Sequence, residues 1–425
     1  MSSLRGAGAN SMKPWVCGLV LVMGLPKLWA ANPVLAWNSV ALDTIRFDNT
    51  APPAASRQLA MLNVSIFDAL NGLDSRYASY RRHTNAPAGA SPEAAIAGAA
   101  NRVLRYGWPQ FTAKFDAQLQ SQLLALPNDA ARDAGLAWGR QVAQDILSER
   151  AFDGSSFGVD YRSSSGPGRW QSTPPLFASA LLPQWAKVKP FTLNAPDQFR
   201  PPPPPTLGSE EWGKQFLQVK SLGSTNSTAR QHEQTEIAWF WADGVGTQSP
   251  PGRWNDVAQQ LVSAKRLRLL ESARLFALLN LALADAGIAC WDAKFAYDWW
   301  RPITAIRAAD TDGNPATEPD PNWTPLIVTP PFPEHTSGHA TFSSAAATVL
   351  AAVHGGDRFR FTLRSDGLFG TERRYRRFSD AASEAGISRV FGGIHFMSAN
   401  DDGQKCGRQV AEQVVRGFLS PQKPR

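Results

Sequence analysis

Residues 256–285 read DVAQQLVSAKRLRLLESARLFALLNLALAD, and this stretch decides the fold class. Leu261, Leu269, Leu275, Leu278 and Leu279 lie in an apolar sequence broken only by spaced charges, the pattern of a helix with a wide buried face. One helix is expected over 256–285, with Gly287 offering its stop. Working outward, Leu59, Leu62, Ile66, Ala69 and Leu70 recur on one face of 56–71. Segments 92–105, 113–126 and 129–150 are rich in Ala, Leu, Gln and Arg, all good helix formers. Segment 340–354 is alanine-rich and closes on Gly355-Gly356, and 402–419 places Val410, Val414 and Phe418 on one stripe. No series of alternating strand patterns and no short-period repeat is evident. The expectation is an all-α protein built of large helical bundles.

The 425 residues are 43% apolar, enough for a sizeable core, and carry a net charge of +7. Arg5, Lys13 and Lys27 supply three of those charges within 31 residues that hold no acid. There is no long Lys/Arg run, which argues against a nucleic-acid partner. Lys13, the apolar run Trp15 to Leu25 and Ala30-Ala31 before Asn32 read as a signal peptide over residues 1–31. A secreted or periplasmic protein is therefore expected, and no other run is long enough for a membrane span in the mature chain. Beyond Cys17, Cys290 and Cys406 remain; an exported protein permits a disulfide between them, and buried apolar fillers are the alternative.

Between residues 152 and 209 the composition shifts to Gly, Pro, Ser and aromatics, and Pro201 to Pro205 should be extended polyproline. This reads as a surface connection between an N-terminal helical half (32–200, irregular over 152–200) and a C-terminal catalytic bundle (201–425). Its length would suit wrapping a second subunit in a homo-oligomer.

Three blocks near the C-terminus carry chemistry. Lys294 and Arg301 are seven residues apart, two turns of one helix, so both would project from one face about 10 Å apart along the axis. Lys is a compact charge and Arg a planar fork; Pro302 would end or kink the helix beside Arg301. Ser337-Gly338-His339 precedes the helix 340–354, where first-turn amides bind anions and His339 could exchange a proton with a ligand oxygen. Ser388-Arg389 and His395 flank Gly392-Gly393, which makes a continuous helix between them unfavourable. Four of the six histidines fall between 335 and 395. His354 fits a helix C-terminus, and His335 either lines the pocket mouth or is exposed. Together the blocks suit a multiply charged tetrahedral oxyanion.

Lys294 to Arg301-Pro302, Ser337-Gly338-His339 and Ser388-Arg389 to His395 resemble the signature of the type 2 phosphatidic acid phosphatase and vanadium haloperoxidase superfamily. The stretches around Trp291, Trp300, Pro330 to Phe342 and Gly392 to Phe396 are most similar to the vanadium-dependent haloperoxidase branch. That resemblance implies an all-helical fold and vanadate as cofactor. It implies that Lys294, Arg301, Ser337, Gly338 and Arg389 bind the oxyanion, that His395 ligates vanadium and that His339 acts as acid–base. The substrates would be hydrogen peroxide and a halide, giving a hypohalous acid equivalent. Two alternatives stay open. One is a soluble acid phosphatase acting on phosphomonoesters with His395 as nucleophile; the other is a phosphate-like anion-binding protein without turnover. The chain departs from the family pattern in two places. Thr336 replaces a proline, and Ala399 stands four residues after His395 where an acid is frequent, so Asp401 or Asp402, or failing them a backbone carbonyl, is expected to orient His395. Phe332, seven residues before His339, resembles the chloroperoxidase pattern, and Phe332 and Trp291 would stand behind the groups that meet the oxyanion.

Overall fold

Caps written into the chain set where several helices begin. Asn32, Ser91, Asp129, Ser209 and Ser337 each accept a hydrogen bond from an amide two or three residues on, satisfying first-turn donors that have no partner within the helix. The computed structural model describes residues 32–422; the leader expected over 1–31 lies outside them. Six helices come first: α1 (Pro33–Asp48), α2 (Pro52–Asp74), α3 (Pro92–Gly107), α4 (Thr112–Leu124), α5 (Ala130–Arg150) and α6 (Glu210–Gly223). Then follow α7 (His232–Phe240), α8 (Ser249–Lys265), α9 (Leu269–Tyr297), α10 (Pro302–Arg307) and α11 (Gly338–His354). A hairpin of β1 (Arg358–Arg364) and β2 (Glu372–Arg377) precedes α12 (Phe378–Phe391) and α13 (Met397–Gly417).

The helices assemble as two four-helix bundles, α1-α2-α3-α5 and α8-α9-α11-α13, packed through α2 against α9. The bundles repeat each other in detail. Asn38 and Asn63 exchange side-chain amide bonds at 2.9–3.0 Å, and Asn255 and Asn280 do the same at 2.8–2.9 Å. Buried Asp68 caps the amides of Tyr80, Arg81 and Arg82, and buried Asp285 those of Phe191, Thr192 and Leu193. Ser91 donates its amide to the Ala131 carbonyl at 2.9 Å, and Ser337 to that of Ala399 at 3.0 Å. The repeat period is too long, and its residues too scattered, to show as sequence periodicity. One apolar core runs from Val34 to Leu419 across both bundles, so the boundary placed at residue 200 marks a change of composition within a shared core.

Three expectations need correction. The helix read over 256–285 is two helices, because Arg266 adopts a left-handed conformation (φ 51°) and closes α8. Gly287 does not stop α9; it lies inside it, where a Cβ would come within 3.0 Å of the Phe342 ring, so it serves close packing against α11. The alternation Arg358-Phe359-Arg360-Phe361-Thr362-Leu363-Arg364 is a strand, paired antiparallel with β2 in the register Phe361↔Tyr375. Cys290 and Cys406 are both free and buried.

α9 is long and apolar enough to cross a bilayer, yet it is almost wholly buried within the protein, as befits a central core helix. The irregular 152–209 segment is more than a surface connection. It buries Trp170, Trp185 and Phe191, fastens Arg200 to Asp292 through two bonds of 2.6 and 2.7 Å and donates the Leu181 amide to the Pro331 carbonyl. It therefore braces the end of the second bundle where the three chemical blocks meet.

Backbone contact between α11 and α13 depends on glycine. A Cβ at Gly407 would lie 2.2 Å from the Thr341 carbonyl oxygen, with no flexible side chain to yield. Gly407→Ala should therefore destabilise the protein by about 1–3 kcal/mol, the usual range for overpacking, measured as a lowered urea midpoint at unchanged m.

Candidate active site

The three blocks converge at one end of the second bundle, though by a different local route from the one expected. Asp298 takes a left-handed conformation (φ 50°) and closes α9 after Lys294. Arg301 is therefore not on the same helix; it is the extended N-cap of α10, and Pro302 opens that short helix, where a missing N–H does no harm. The turn at 298–301 brings the two cations together, with the Phe332 ring 4.9 Å from the Lys294 ammonium and 4.8 Å from the Arg301 guanidinium carbon. Trp291 packs on Phe332 with ring centroids 5.0 Å apart. These rings form an apolar floor that strengthens each nearby charge interaction by excluding water.

Lys294 is fully buried and its ammonium is received by the carbonyls of Pro333 and Glu334, both at 3.0 Å, and by that of Thr336. Those contacts use the three donors an ammonium has. Through them Lys294 pins the 333–336 loop beside the other two blocks. Burial, helped by Arg301, lowers its pKa to about 7.

Arg301 donates from Nε to the Phe332 carbonyl (2.8 Å) and from Nη1 to the Ile394 carbonyl (2.8 Å), with Nη1 also 3.2 Å from His395 Nε2. Its Nη2 is buried without a partner. His395 lies in the loop after α12, where Gly392 caps the helix and Gly393 turns the chain at φ 75°. A Cβ on Gly393 would strike the Gly223 carbonyl at 2.3 Å, so this turn requires glycine. Arg389 itself stays on the last turn of α12, donating to Ser388 Oγ (3.0 Å) and the Ala238 carbonyl (3.1 Å).

The acid that orients His395 is Glu334. Its Oε1 lies 2.9 Å from His395 Nδ1 and accepts the Phe396 amide at 2.8 Å. With Arg301 Nη1 facing Nε2, the network assigns the proton to Nδ1 and leaves the Nε2 lone pair to accept from Arg301. Burial holds the His395 pKa well below its ordinary value, reinforced by Arg301, Lys294, Arg389 and His339, so the ring is neutral. Burial also raises Glu334 to about 7 against the opposing pull of the Phe396 amide, Arg301 and Lys294.

Asp401 and Asp402 do not take this role. Asp401 accepts from Asn400 at 3.0 Å, and Asp402 lies 3.5 Å from Nε2 of His335. α13 begins at Met397, so both acids lie a turn into that helix, past His395. His335 is buried edge-on to the Tyr297 ring, neither at the mouth nor exposed.

Ser337 caps α11, and Gly338 and His339 are the partly accessible residues in an otherwise buried run from Pro333 to Ala340. A Cβ at Gly338 would meet nothing nearer than Trp291 at 3.8 Å. Packing does not demand this glycine; its small size keeps a first-turn amide open to a ligand. The His339 side chain is 16% exposed, enough for a small reactant to reach it, and its Nε2 faces Asp243 Oδ2 at 3.4 Å. Asp243 is held by Arg253 through Nε at 3.1 Å and through Nη2. Burial and then Arg389 lower His339 to about 4, with Asp243 pulling the other way.

The donor set fits a tetrahedral oxyanion such as vanadate. An unpartnered Arg301 Nη2, a neutral imidazole and an open helix N-terminus meet beside three buried cations, with Glu334 and Asp243 the carboxylates near them. Glu334 and Asp243 were missed in the sequence. An acid directly after the apolar run Pro330 to Pro333 was a readable cue for the first; nothing linked Asp243 to a histidine 96 residues away.

A family model for the second helical-bundle domain of vanadium chloroperoxidase matches residues 274–422. The vanadium chloroperoxidase of Curvularia inaequalis is 27% identical over 434 residues, covering 80% of this chain and 69% of that protein. Among solved structures, that of the first bacterial vanadium-dependent iodoperoxidase superposes with a TM-score of 0.78 at 28% identity, covering 92% of this chain and 98% of the other. A holo-type bacterial vanadium-dependent chloroperoxidase shares the fold at a TM-score of 0.69 and 17% identity, over 88% of this chain and 95% of the other.

Glu334→Ala should weaken vanadate binding about 10–100-fold, the usual effect of losing the group that orients a ligating histidine, when titrated calorimetrically. Asp401→Ala and Asp402→Ala should bind as the parent does. Adding Ala399→Asp to the Glu334→Ala protein should recover part of the loss by restoring a carboxylate one turn after His395.

Proposed function

We propose that this chain is a member of the vanadium-dependent haloperoxidase family and a vanadate-dependent haloperoxidase, a reading supported by its similarity to vanadium chloroperoxidase and to a bacterial vanadium-dependent iodoperoxidase. It consumes hydrogen peroxide and a halide and yields a hypohalous acid equivalent. The observation that carries the reading is the neutral His395 ring, with Nδ1 on Glu334 and Nε2 turned toward Arg301. Bound vanadate supplies a Lewis-acidic centre that activates peroxide for oxygen transfer without changing its own oxidation state.

The chain's own residues do the rest. His395 offers Nε2 as the ligand, and Arg301 and Arg389 supply guanidinium donors and charge. The Ser337 hydroxyl and the Gly338 amide add neutral donors. Asp243 favours the proton on His339 Nε2, leaving Nδ1 to take a proton from incoming peroxide and return it to the leaving oxygen. Lys294 adds positive charge through space while holding the 333–336 loop in place. Phe332 and Trp291 exclude water from the floor. Export by the leader read in residues 1–31 is part of the same proposal.

A phosphatase would use the same neutral imidazole as a nucleophile on phosphorus. The two chemistries separate in a paired assay on metal-free protein. Vanadate with peroxide and bromide or iodide should give halogenation, and a phosphomonoester should give no release of phosphate. Phosphate release without halogenation would remove the proposal. The acid–base role has its own test. Asp243 raises the His339 pKa, so Asp243→Asn should lower it further. The acidic limb of kcat/KM against pH should then move to lower pH than in the parent; a limb that stays in place would dissociate Asp243 from His339.

A further inference from the structure

Residues 358–377 hold seven arginines, no lysine and two acids, and they fold as the β1–β2 hairpin. Phe361, Leu363 and Tyr375 point inward and are buried. Arg373 is used structurally, binding Glu233, Glu236 and Glu384 at 2.6–2.9 Å and tying the hairpin to α7 and α12. Arg364 and Arg374 share Glu372. Arg358, Arg360, Arg376 and Arg377 are exposed and, among the described residues, lie within ion-pair distance of no carboxylate. Arg358 and Arg377 are directly opposed in the register, and like charges facing across strands destabilise a sheet. Charge that merely protects sheet edges from aggregation could be of either sign. Four unpaired guanidinium groups on one small sheet instead suit phosphate groups, which arginine binds through its fork.

The hairpin turn adds a second feature. Thr371 donates to the Leu368 carbonyl at 3.2 Å and Gly370 turns at φ 82°, which leaves Phe369 at the tip with 92% of its surface in water. Asp366, three residues before, accepts from Arg46 and from the Gln248 amide, each at 2.9 Å. Those bonds staple in two further segments that expose Phe47 and Val245. Apolar side chains thus stand in water at the end of an arginine-rich sheet. A nucleic acid or an acidic polysaccharide would use the arginines and leave this tip idle. A bilayer with anionic headgroups uses both, taking the guanidinium groups at its phosphates and the ring below them.

We propose that the β1–β2 hairpin docks the protein on an anionic lipid bilayer, with Arg360 and Arg376, which alternate with the buried Phe361 and Tyr375 and so face outward, on headgroup phosphates and Phe369 inserted at the interface. The full chain should cosediment with vesicles of phosphatidylcholine mixed with phosphatidylglycerol, more weakly with pure phosphatidylcholine and less at higher salt. Arg360→Glu/Arg376→Glu should lower the affinity for the mixed vesicles more than about tenfold, since each basic residue near such a surface contributes measurably, and Phe369→Ser should weaken it separately. Both variants should keep the parent's circular dichroism melt and its halogenation rate without vesicles. The proposal is overturned if the charge-reversed variant binds mixed vesicles as the parent does, or if both vesicle types bind equally. It is also overturned if heparin or duplex DNA binds through these arginines while mixed vesicles do not.

Discussion

Three cationic side chains are buried around one point, with Glu334 beside Lys294 and Arg301 and Asp243 beside Arg389. Lys294, Arg301 and Arg389 are all removed from water, and an uncompensated charge in that position costs several kcal/mol. Backbone carbonyls offset part of this, three on Lys294, two on Arg301 and one on Arg389. Burial still pulls Lys294 to about 7 and each arginine to about 10. Burial first, and then the field of these cations, holds the His395 pKa well below its ordinary value and keeps the ring uncharged. A small, multiply charged anion relieves all of these groups at once, and the same positive excess adds to burial in keeping the His395 ring neutral. Affinity and ligand state therefore have one electrostatic origin.

The duplicated bundle explains why that origin appears once. Both bundles present a serine cap anchored to a facing helix, Ser91 on Ala131 and Ser337 on Ala399. After Ser91 come Pro92 and Glu93; after Ser337 come Gly338 and His339. Proline removes a first-turn N–H and glutamate occupies the positive end of the helix with its own charge. The first bundle thus closes its anion-binding end, and the second leaves it open beside buried cations. The scaffold is shared, and two residues after each cap divide support from chemistry.

The helical fold class was readable because amphipathic repeats and serine caps are local signals. The residues that the structure brings together at the end of the second bundle could be named as well, since each motif is contiguous. The relation between blocks was less legible. The pair Lys294 and Arg301 reads as one helical face, and only the left-handed Asp298 shows that a turn brings them together. Arg266 breaks the 256–285 helix in the same way; neither position carries the glycine that would announce such a turn. The hairpin did alternate, but it is a single short pair among long helices. The carboxylates were hardest. Proximity in sequence favoured Asp401 and Asp402 for His395, whereas the chain supplies Glu334 from a loop 61 residues earlier. The ammonium of Lys294 fixes that loop by its carbonyls, so the cation expected to meet the ligand sets the position of the acid behind it.

Arg253 shows how closely the rest of the molecule approaches this chemistry. It is buried, holds Asp243 opposite His339, and donates from Nη1 to the Arg364 carbonyl at the end of β1 at 3.2 Å. The segment that carries Asp243 is in turn fixed to the hairpin turn through Gln248 and Asp366. A force applied to the hairpin therefore meets the acid–base pair through two hydrogen-bonded contacts. Contact of this kind is a path and not yet a coupling, because coupling needs an element with two arrangements that both sites bias. The 3.4 Å separation of His339 Nε2 and Asp243 Oδ2, each without another hydrogen-bond partner of its own, is the place where such a difference would register. Closing that gap strengthens the bond and raises the His339 pKa, and opening it lowers both, so the proton-transfer strength of the site is set by how firmly the loop from Asp243 to Gln248 is held.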